Sequence, residues 1–456
     1  MRNPRVREAV FRIRLRSSLT FKHNTTLNRG RIGVKCRFAC YAILMGEIHS
    51  ILGNRAAPSR SDGPGRGKRV VVAMSGGVDS SVAAYLLAEQ GYEVIGVTMR
   101  LFAVTDENAG RLNRSCCSIE DVDDARDVCR AIGAKHYFMN FEKEFKKYVV
   151  DYFVSEYERG RTPHPCLACN DKLKFEFLLR RAQFMDADFV ATGHYARIEQ
   201  HEDEWHLNRG VDPSKDQSYV LFTLGQEQLS QLLLPIGEFD KDEIRRIASK
   251  AGLPVADKPD SQDICFIPSG DYKAFVEPRL TVKTPGNIVD SDGVVLARHD
   301  GVHRFTVGQR KGLPLPGGSP RPLFVTDIDA DKGRITVGYA EELLRHRLAA
   351  GGVKWVSGVA PDSGARVEAR IRYHGADIPA FVIPEGDGAV VEFESPQRAI
   401  TPGQAVVFYD GDRVLGGGMI DRALPEVDTS DRFPGRISLR AAGRGHAFEG
   451  ASAKTL

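Results

Sequence analysis

The chain has 456 residues, with 63 Lys and Arg against 60 Asp and Glu, and a formal charge of +3. That length holds two or three domains with cores of their own, and so mild a charge identifies no partner. No apolar run reaches the ~18 residues of a membrane span and no signal-peptide pattern is evident, so a soluble, cytoplasmic protein is expected, acting as a monomer. The eight cysteines then read as reduced thiols, catalytic groups or ligands, not as a disulfide framework.

Residues 1–40 carry nine Arg and two Lys against one acid, Glu8. This composition fits a transit peptide, a basic arm, or sequence upstream of the native start, with Met45 an alternative beginning. Residues 1–66 are expected to be a disordered extension. From Arg69 to about Val190, short apolar strands alternate with helical segments. The expected strands are Arg69–Ala73, Glu93–Thr98, His136–Asn140 and Phe189–Gly193; the expected helices are Ser80–Gln90, Ile119–Ile132, Glu142–Arg159 and Asp171–Met185. This alternation predicts an α/β domain over 67–212, a parallel sheet with helices on both faces and ligands at the carboxyl ends of its strands. Residues 213–284 read as a helical continuation, with amphipathic stretches at Leu221–Leu234 and Lys241–Ala251. Short β-branched runs then predict a central β-rich domain over 285–346 and a small C-terminal β-barrel over 347–424. Residues 425–456 read as a disordered tail.

The stretch Ala73-Met74-Ser75-Gly76-Gly77-Val78-Asp79-Ser80-Ser81 follows an apolar strand and opens a helix. Gly76 and Gly77 let successive N–H groups converge on an anion, and the helix dipole adds positive charge there. Asp79 offers a carboxylate for Mg²⁺. No Gly-Lys-Ser/Thr ending follows, so this is not a Walker loop. It resembles the SGGxDS pyrophosphate loop (PP-loop) of the ATP pyrophosphatases, which implies ATP cleavage between the α and β phosphates.

Cys166 and Cys169 stand in Thr162-Pro-His-Pro-Cys-Leu-Ala-Cys-Asn170, stiffened by two prolines and followed by a helix expected from Asp171. A thiol at a helix N-terminus has a lowered pKa. A lone CxxC is half a zinc site, a redox pair or a set of cluster ligands, and no second pair completes a zinc site. Cys265 stands in Asp260-Ser-Gln-Asp-Ile-Cys-Phe-Ile267, where a buried inert thiol is the ordinary reading.

These strings, with Gly96-Val-Thr-Met99, Cys116-Cys117, Ala191-Thr-Gly-His-Tyr195, Lys215-Asp-Gln-Ser-Tyr219, Phe305-Thr-Val-Gly-Gln-Arg310, Arg372-Tyr373 and Thr401-Pro-Gly-Gln404, occur in the order found in the tRNA-specific 2-thiouridylase (MnmA-type) family, which the chain resembles over about 68–422. The resemblance implies an α/β PP-loop ATP pyrophosphatase domain, a small central domain and a C-terminal β-barrel. It implies that ATP, bound by Ala73–Ser80 with Met99 and Gly193, adenylates the 2-oxygen of a tRNA wobble uridine. It further implies that Cys265 carries a persulfide from a sulfur-donor protein and that Cys169 attacks it, leaving a Cys169–Cys265 disulfide. The anticodon loop would meet His164, Pro165, Cys166, His194, Lys215, Asp216, Gln217, Arg372, Tyr373 and Gln404. Many members have Asp at Cys166, and Cys166, Cys169 and Cys265 together fit an alternative, three ligands of a four-iron cluster with one iron open to sulfur. The competing readings are a nitrogen-transferring PP-loop ligase and a tRNA-binding protein without activity.

Overall fold

The computed structural model describes residues 63–102, 119–260, 264–267, 270–315, 317 and 321–425. The basic leader, Cys116-Cys117 and the tail beyond 425 lie outside them. The turn at 63–66 is tied to the first helix's end, where Gly65 N–H donates to the Gln90 carbonyl at 3.1 Å.

Five parallel strands form the first sheet: β1 (Arg69–Ala73), β2 (Glu93–Arg100), β3 (Lys135–Asn140), β4 (Phe189–Ala191) and β7 (Leu232–Leu233), in the order β3-β2-β1-β4-β7. Val70, Val71 and Val72 are fully buried, as a strand covered on both faces requires. One face packs on α1 (Val78–Glu89), α2 (Ile119–Ala131) and α6 (Lys241–Lys250) through Val82, Leu87, Val128 and Ile244. The other packs on α3, an unbroken run of Glu142–Phe145, π-helical Lys146–Val150 and Asp151–Glu158, and on α4. Helix α4 runs through Pro165–Ala168, π-helical Cys169–Phe177 and Leu178–Gln183. The strand order reverses direction between β1 and β4, which opens a crevice at their carboxyl ends.

A hairpin, β5 (Ala196–His201) and β6 (Glu204–Arg209), leaves β4 and reaches the barrel through the pairing of Asn208 with Arg413. The stretch Leu221–Leu234 is not one amphipathic helix. It divides into a short helix, α5 (Gln226–Ser230), and β7, with Leu221 and Phe222 in the core. After α7 (Tyr272–Val276) a four-stranded sheet follows, from β8 (Gly286–Val289), β9 (Val295–His299), β10 (Phe324–Asp329) and β11 (Arg334–Gly338), over a core of Ile288, Val325, Ile335 and Val337.

The last six strands are β12 (Leu344–Trp355), β13 (Ala365–Arg370), β14 (Ile378–Glu385), β15 (Gly388–Arg398), β16 (Ala405–Asp410) and β17 (Arg413–Leu424). They pair antiparallel in the order β12-β15-β14-β13-β16-β17, and β17 pairs back to β12, which closes the barrel and removes its exposed edges. Leu348, Val382, Val391, Phe393 and Phe408 fill it. Its first strand starts at Leu344, where Arg345 and Arg347 take strand positions by pairing with Gln397 and Glu392 of β15.

Candidate active site

At the carboxyl end of β1 the chain turns through Ser75, Gly76 and Gly77 into α1. Gly76 has φ +73°, and a Cβ there would lie 2.3 Å from the Asp121 carbonyl oxygen. A side chain is therefore excluded by conformation and by space. Gly77 is the extended residue ahead of α1, and its carbonyl accepts from Ser80 Oγ at 3.2 Å and Ser81 Oγ at 2.9 Å. Ser75 N–H donates to Ser80 Oγ at 3.1 Å, closing the turn. Gly193, past β4, abuts the same helix start: a Cβ there would stand 2.6 Å from Ser80 N. Backbone N–H groups at a helix start, with two glycines allowing close approach, form a seat for phosphate. Met74, Val78 and Met99 are buried.

Asp79 is not free to hold a cation. Its carboxylate accepts from Tyr195 Oη at 2.7 Å and from Lys241 Nζ at 2.8 and 2.9 Å. Burial, then the Asp79 carboxylate, pushes the Tyr195 hydroxyl far up, so it remains a donor. Among the described residues no group of three or more His, Cys, Asp or Glu side chains is placed to hold a metal ion. Magnesium on Asp79 does not fit this arrangement, because Lys241 already neutralises the carboxylate. A cluster on Cys166, Cys169 and Cys265 does not fit either, since the three thiols are not gathered into a ligand set.

The helix carrying the CxxC begins earlier than Asp171. Its N-cap is His164 and its first residue Pro165, whose missing N–H costs nothing at that position. Cys166 therefore sits in the first turn and Cys169 at the start of the π-helical stretch, a turn further in. Cys166 is exposed, whereas Cys169 and Cys265 are half-buried. Both half-buried thiols pack against the core cluster that includes Leu167, Phe266 and Ile267. Cys265 lies on a turn closed by Ile267 N–H and the Ile264 carbonyl at 2.8 Å. Phe266 pins that turn among Phe145, Phe153 and Phe275, with ring centroids 5.1–5.5 Å apart.

Barrel residues close over the CxxC. The Tyr373 ring is 5.9 Å from His164 and 5.8 Å from Tyr219. Burial, then Asp216, pushes the Tyr373 hydroxyl up to about 12, against a hydrogen bond from Gln217, and Cys166 is close enough to add to the rise. His164 is half-buried, and its Nδ1 has no hydrogen-bond partner among the described residues; burial lowers its pKa. Gln404 Nε2 donates to the Thr162 carbonyl at 2.8 Å.

Five further residues expected to meet RNA make internal contacts. Arg372 donates to the carbonyls of Arg398 and Ala399 at 3.0 and 2.8 Å. Gln217 braces Tyr195, accepting from its N–H at 3.0 Å. Asp216 is buried and accepts from Gly210 N, Ser218 N and Ser218 Oγ at 3.0–3.2 Å, with Arg370 at 3.4 Å. His194 is buried between Thr192 Oγ1 (2.7 Å from Nδ1) and Lys174 Nζ (3.4 Å from Nε2). Lysine only donates, so Nε2 accepts and Nδ1–H donates to Thr192. Burial first, then Lys174, keeps that imidazole neutral, well below its ordinary range. Lys215 pairs with Asp260 at 2.9 Å.

Sequence reasoning passed over Tyr195, Lys241, Lys258 and Asp260 as functional side chains. Their charged or hydroxyl groups lie far from the loop in sequence, and Lys241 reads locally as the first residue of a capped helix, after Asp240.

The chain matches three family descriptions: "tRNA methyl transferase HUP domain" over 68–269, "tRNA methyl transferase PRC-barrel domain" over 273–339 and "Aminomethyltransferase beta-barrel domain" over 345–420. It is 51% identical to a tRNA-specific 2-thiouridylase MnmA of Caldanaerobacter subterraneus subsp. tengcongensis, over 79% of this chain and 99% of that protein. The chain belongs to the tRNA-specific 2-thiouridylase family. Other similar relatives of the same description are that of Geobacter metallireducens, 50% identical over 79% of this chain and 98% of its own length, and that of Clostridium perfringens, 48% identical over 78% and 99%. Family membership bears out the α/β fold with its C-terminal barrel and the expected enzyme class, a tRNA sulfurtransferase that uses an ATP-binding PP-loop.

Proposed function

We propose that this chain converts the wobble uridine of tRNA to 2-thiouridine, with ATP bound at Ala73–Ser80 and sulfur passing through Cys265 and Cys169. The observation that carries the ATP half is the N–H seat between Gly76 and Gly193 at the start of α1, where neither glycine leaves room for a side chain. The uracil 2-oxygen attacks the α-phosphorus; the bond to the β-phosphate oxygen breaks and pyrophosphate leaves with the electron pair. The 2-oxygen then departs as part of AMP, a far better leaving group than oxide.

The sulfur half is supported by two half-buried thiols on one core cluster. Cys265 receives a persulfide from a donor protein. Its terminal sulfur reaches C2 directly or as hydrosulfide, and the Cys169 thiolate attacks the inner sulfur, breaking the S–S bond and leaving a Cys169–Cys265 disulfide. An external dithiol reductant restores both thiols. Cys166, exposed beside Tyr373 and His164, lines the entry for the base. A target in a single-stranded anticodon loop lowers the cost of drawing that base in. The remaining residues read against the anticodon loop (Lys215, Asp216, Gln217, His194, Arg372) act in this reading by holding the entry's walls. The cytoplasm, where these thiols stay reduced, is the proposed place of action.

The test compares Cys169→Ser and Cys265→Ser with the parent in nucleotide binding and in thiolation of unmodified tRNA. Both variants are expected to bind ATP normally and to form no 2-thiouridine. Sulfur transfer retained in Cys265→Ser would overturn the assigned carrier.

A further inference from the structure

Gly76 and Gly77 give the phosphate seat its close approach, and they also leave it a weakness. The peptide between them is flanked by two residues without a Cβ, so rotation of its plane meets little resistance from either side. Turned one way, that peptide offers an N–H to an anion. Turned the other way, it offers a carbonyl oxygen, which repels one. Two glycines therefore provide the freedom that the seat needs, but no preference for the productive orientation.

A lysine from far along the chain holds this peptide. Lys258 Nζ donates to the Gly76 carbonyl at 3.0 Å and stands 2.5 Å from Asp121 Oδ1 and 2.6 Å from Asp124 Oδ2. The two aspartates lie three residues apart on α2, so their side chains share one face of it. An ammonium has three N–H donors, and these three acceptors match them one for one. The aspartates also neutralise its charge, so Lys258 has no donor left over for a phosphate. Burial works against the charged form, yet the hydrogen bonds to Asp121 and Asp124 raise the pKa above the ordinary lysine value, and the ammonium persists. The backbone of Lys258 is fixed as well: its N–H donates to the Val255 carbonyl at 3.0 Å and its carbonyl accepts from Arg245 Nη1 at 3.1 Å. Val255 and Leu253 are buried in the same core cluster as Val82 of α1 and Ile244 of α6.

The Gly76–Gly77 peptide is trans, so the Gly76 carbonyl and the Gly77 N–H point in opposite directions. With the carbonyl held by Lys258, the N–H is turned away from the lysine, and it meets no acceptor among the described residues. We propose that Lys258 is a positioning residue for the nucleotide, which holds the Gly76–Gly77 peptide with its N–H toward the phosphates. It acts through the backbone and touches no phosphate itself. The inference rests on the ATP seat proposed above.

Titration of the full chain with α,β-methylene-ATP, and with adenosine by competition, tests it. Lys258→Met alone leaves two carboxylates unpaired near the phosphates, so the decisive variant combines it with Asp121→Asn and Asp124→Asn, which removes all three charges. That triple variant is expected to bind the analogue roughly tenfold or more weakly, and to bind adenosine as the parent does. Lys258→Arg, which keeps a donor for the Gly76 carbonyl, should stay within about threefold of the parent for both ligands. Should the triple variant not fold, the same comparison on Lys258→Met at high salt, which screens the stranded carboxylates, stands in for it. An unchanged analogue affinity in the triple variant overturns the proposal, because the peptide then keeps its orientation without the lysine. An equal loss for adenosine also overturns it, since that reports a general distortion, and so does a loss in Lys258→Arg as large as in the triple variant. A parent that binds no analogue removes the ATP seat and this inference with it. A parent that binds the analogue beside an equally tight triple variant removes the role of Lys258 alone.

Discussion

The side-chain amide of Gln404, in the barrel, donates to the carbonyl of Thr162 over 2.8 Å, across 242 residues of sequence. Beside it, Thr162 N–H donates to the Pro402 carbonyl at 2.8 Å, and Gly403, at φ +89°, leaves no room for a side chain: a Cβ would stand 2.9 Å from Thr162 N. Thr162 Oγ1 meets Thr306, in the loop between β9 and β10 of the central domain, at 3.2 Å. All three parts of the fold therefore meet on the segment that leads into Cys166. Gln404→Ala removes one bond and leaves a carbonyl unpaired. It should lower stability by about 1 kcal/mol in chemical denaturation, and thiolation should fall further than nucleotide binding does.

Gly193→Ala places a methyl group against the backbone of Ser80, which belongs to the loop and cannot simply rotate away. Overpacking of this kind costs about 1–3 kcal/mol, and here the strain falls on the phosphate seat. Calorimetric titration with α,β-methylene-ATP should show affinity reduced by roughly tenfold or more. Cys169 and Cys265 should be unaffected in their alkylation by iodoacetamide without nucleotide.

Asp216 joins the first domain to the barrel. Besides its bonds to Gly210 and Ser218, it faces Arg370 at 3.4 Å and Arg209 at 3.8 Å, and Arg209 stacks over Tyr409 at 3.6 Å from its centroid. Both guanidinium groups also reach Asp377, at 2.8 and 3.1 Å. Removing one partner of a buried charge network strands the others, at a cost of about 3–5 kcal/mol. Asp216→Ala should lower the denaturation midpoint accordingly, whereas Asp216→Asn, which keeps acceptor capacity, should lose less.

Burial lowers the pKa of His164 and, far more, of His194. A histidine that cannot be protonated in the folded state leaves the unfolded chain binding more protons below its free pKa of ~6.5. Stability is therefore lost as pH falls from 6.5 toward the folded value, by up to ~1.4 kcal/mol per pH unit for each such group. Urea midpoints at pH 7.5 and 5.5 should differ, with the acidic one lower. His194→Gln should reduce that difference; an unchanged one would place its source elsewhere.

The strands of the parallel sheet were legible because Val70–Val72 and Val94–Val97 form apolar runs bounded by glycine and charge. The glycine loop was legible because its residue types serve one purpose at that place. The start of the CxxC helix was not: two prolines argued for extended chain, but Pro165 is at home in a first turn. The barrel's long strands were hidden because Arg345, Arg347 and Arg398 occupy strand positions that β-propensity disfavours, held there by pairing with distant partners. The occupation of Asp79 by Lys241 could not be read at all, since 162 residues separate the pair. Local pattern reports which groups exist; which of them neutralise one another is decided by the fold.

The central claim is settled most directly by digesting tRNA after incubation with the purified chain, ATP and a persulfide source, and resolving its nucleosides by mass spectrometry. The account predicts 2-thiouridine at the wobble position, formed only when ATP is present and absent with Cys265→Ser. No thiolated product with active, folded protein, or sulfur at another position of the base or on cytidine, would contradict it.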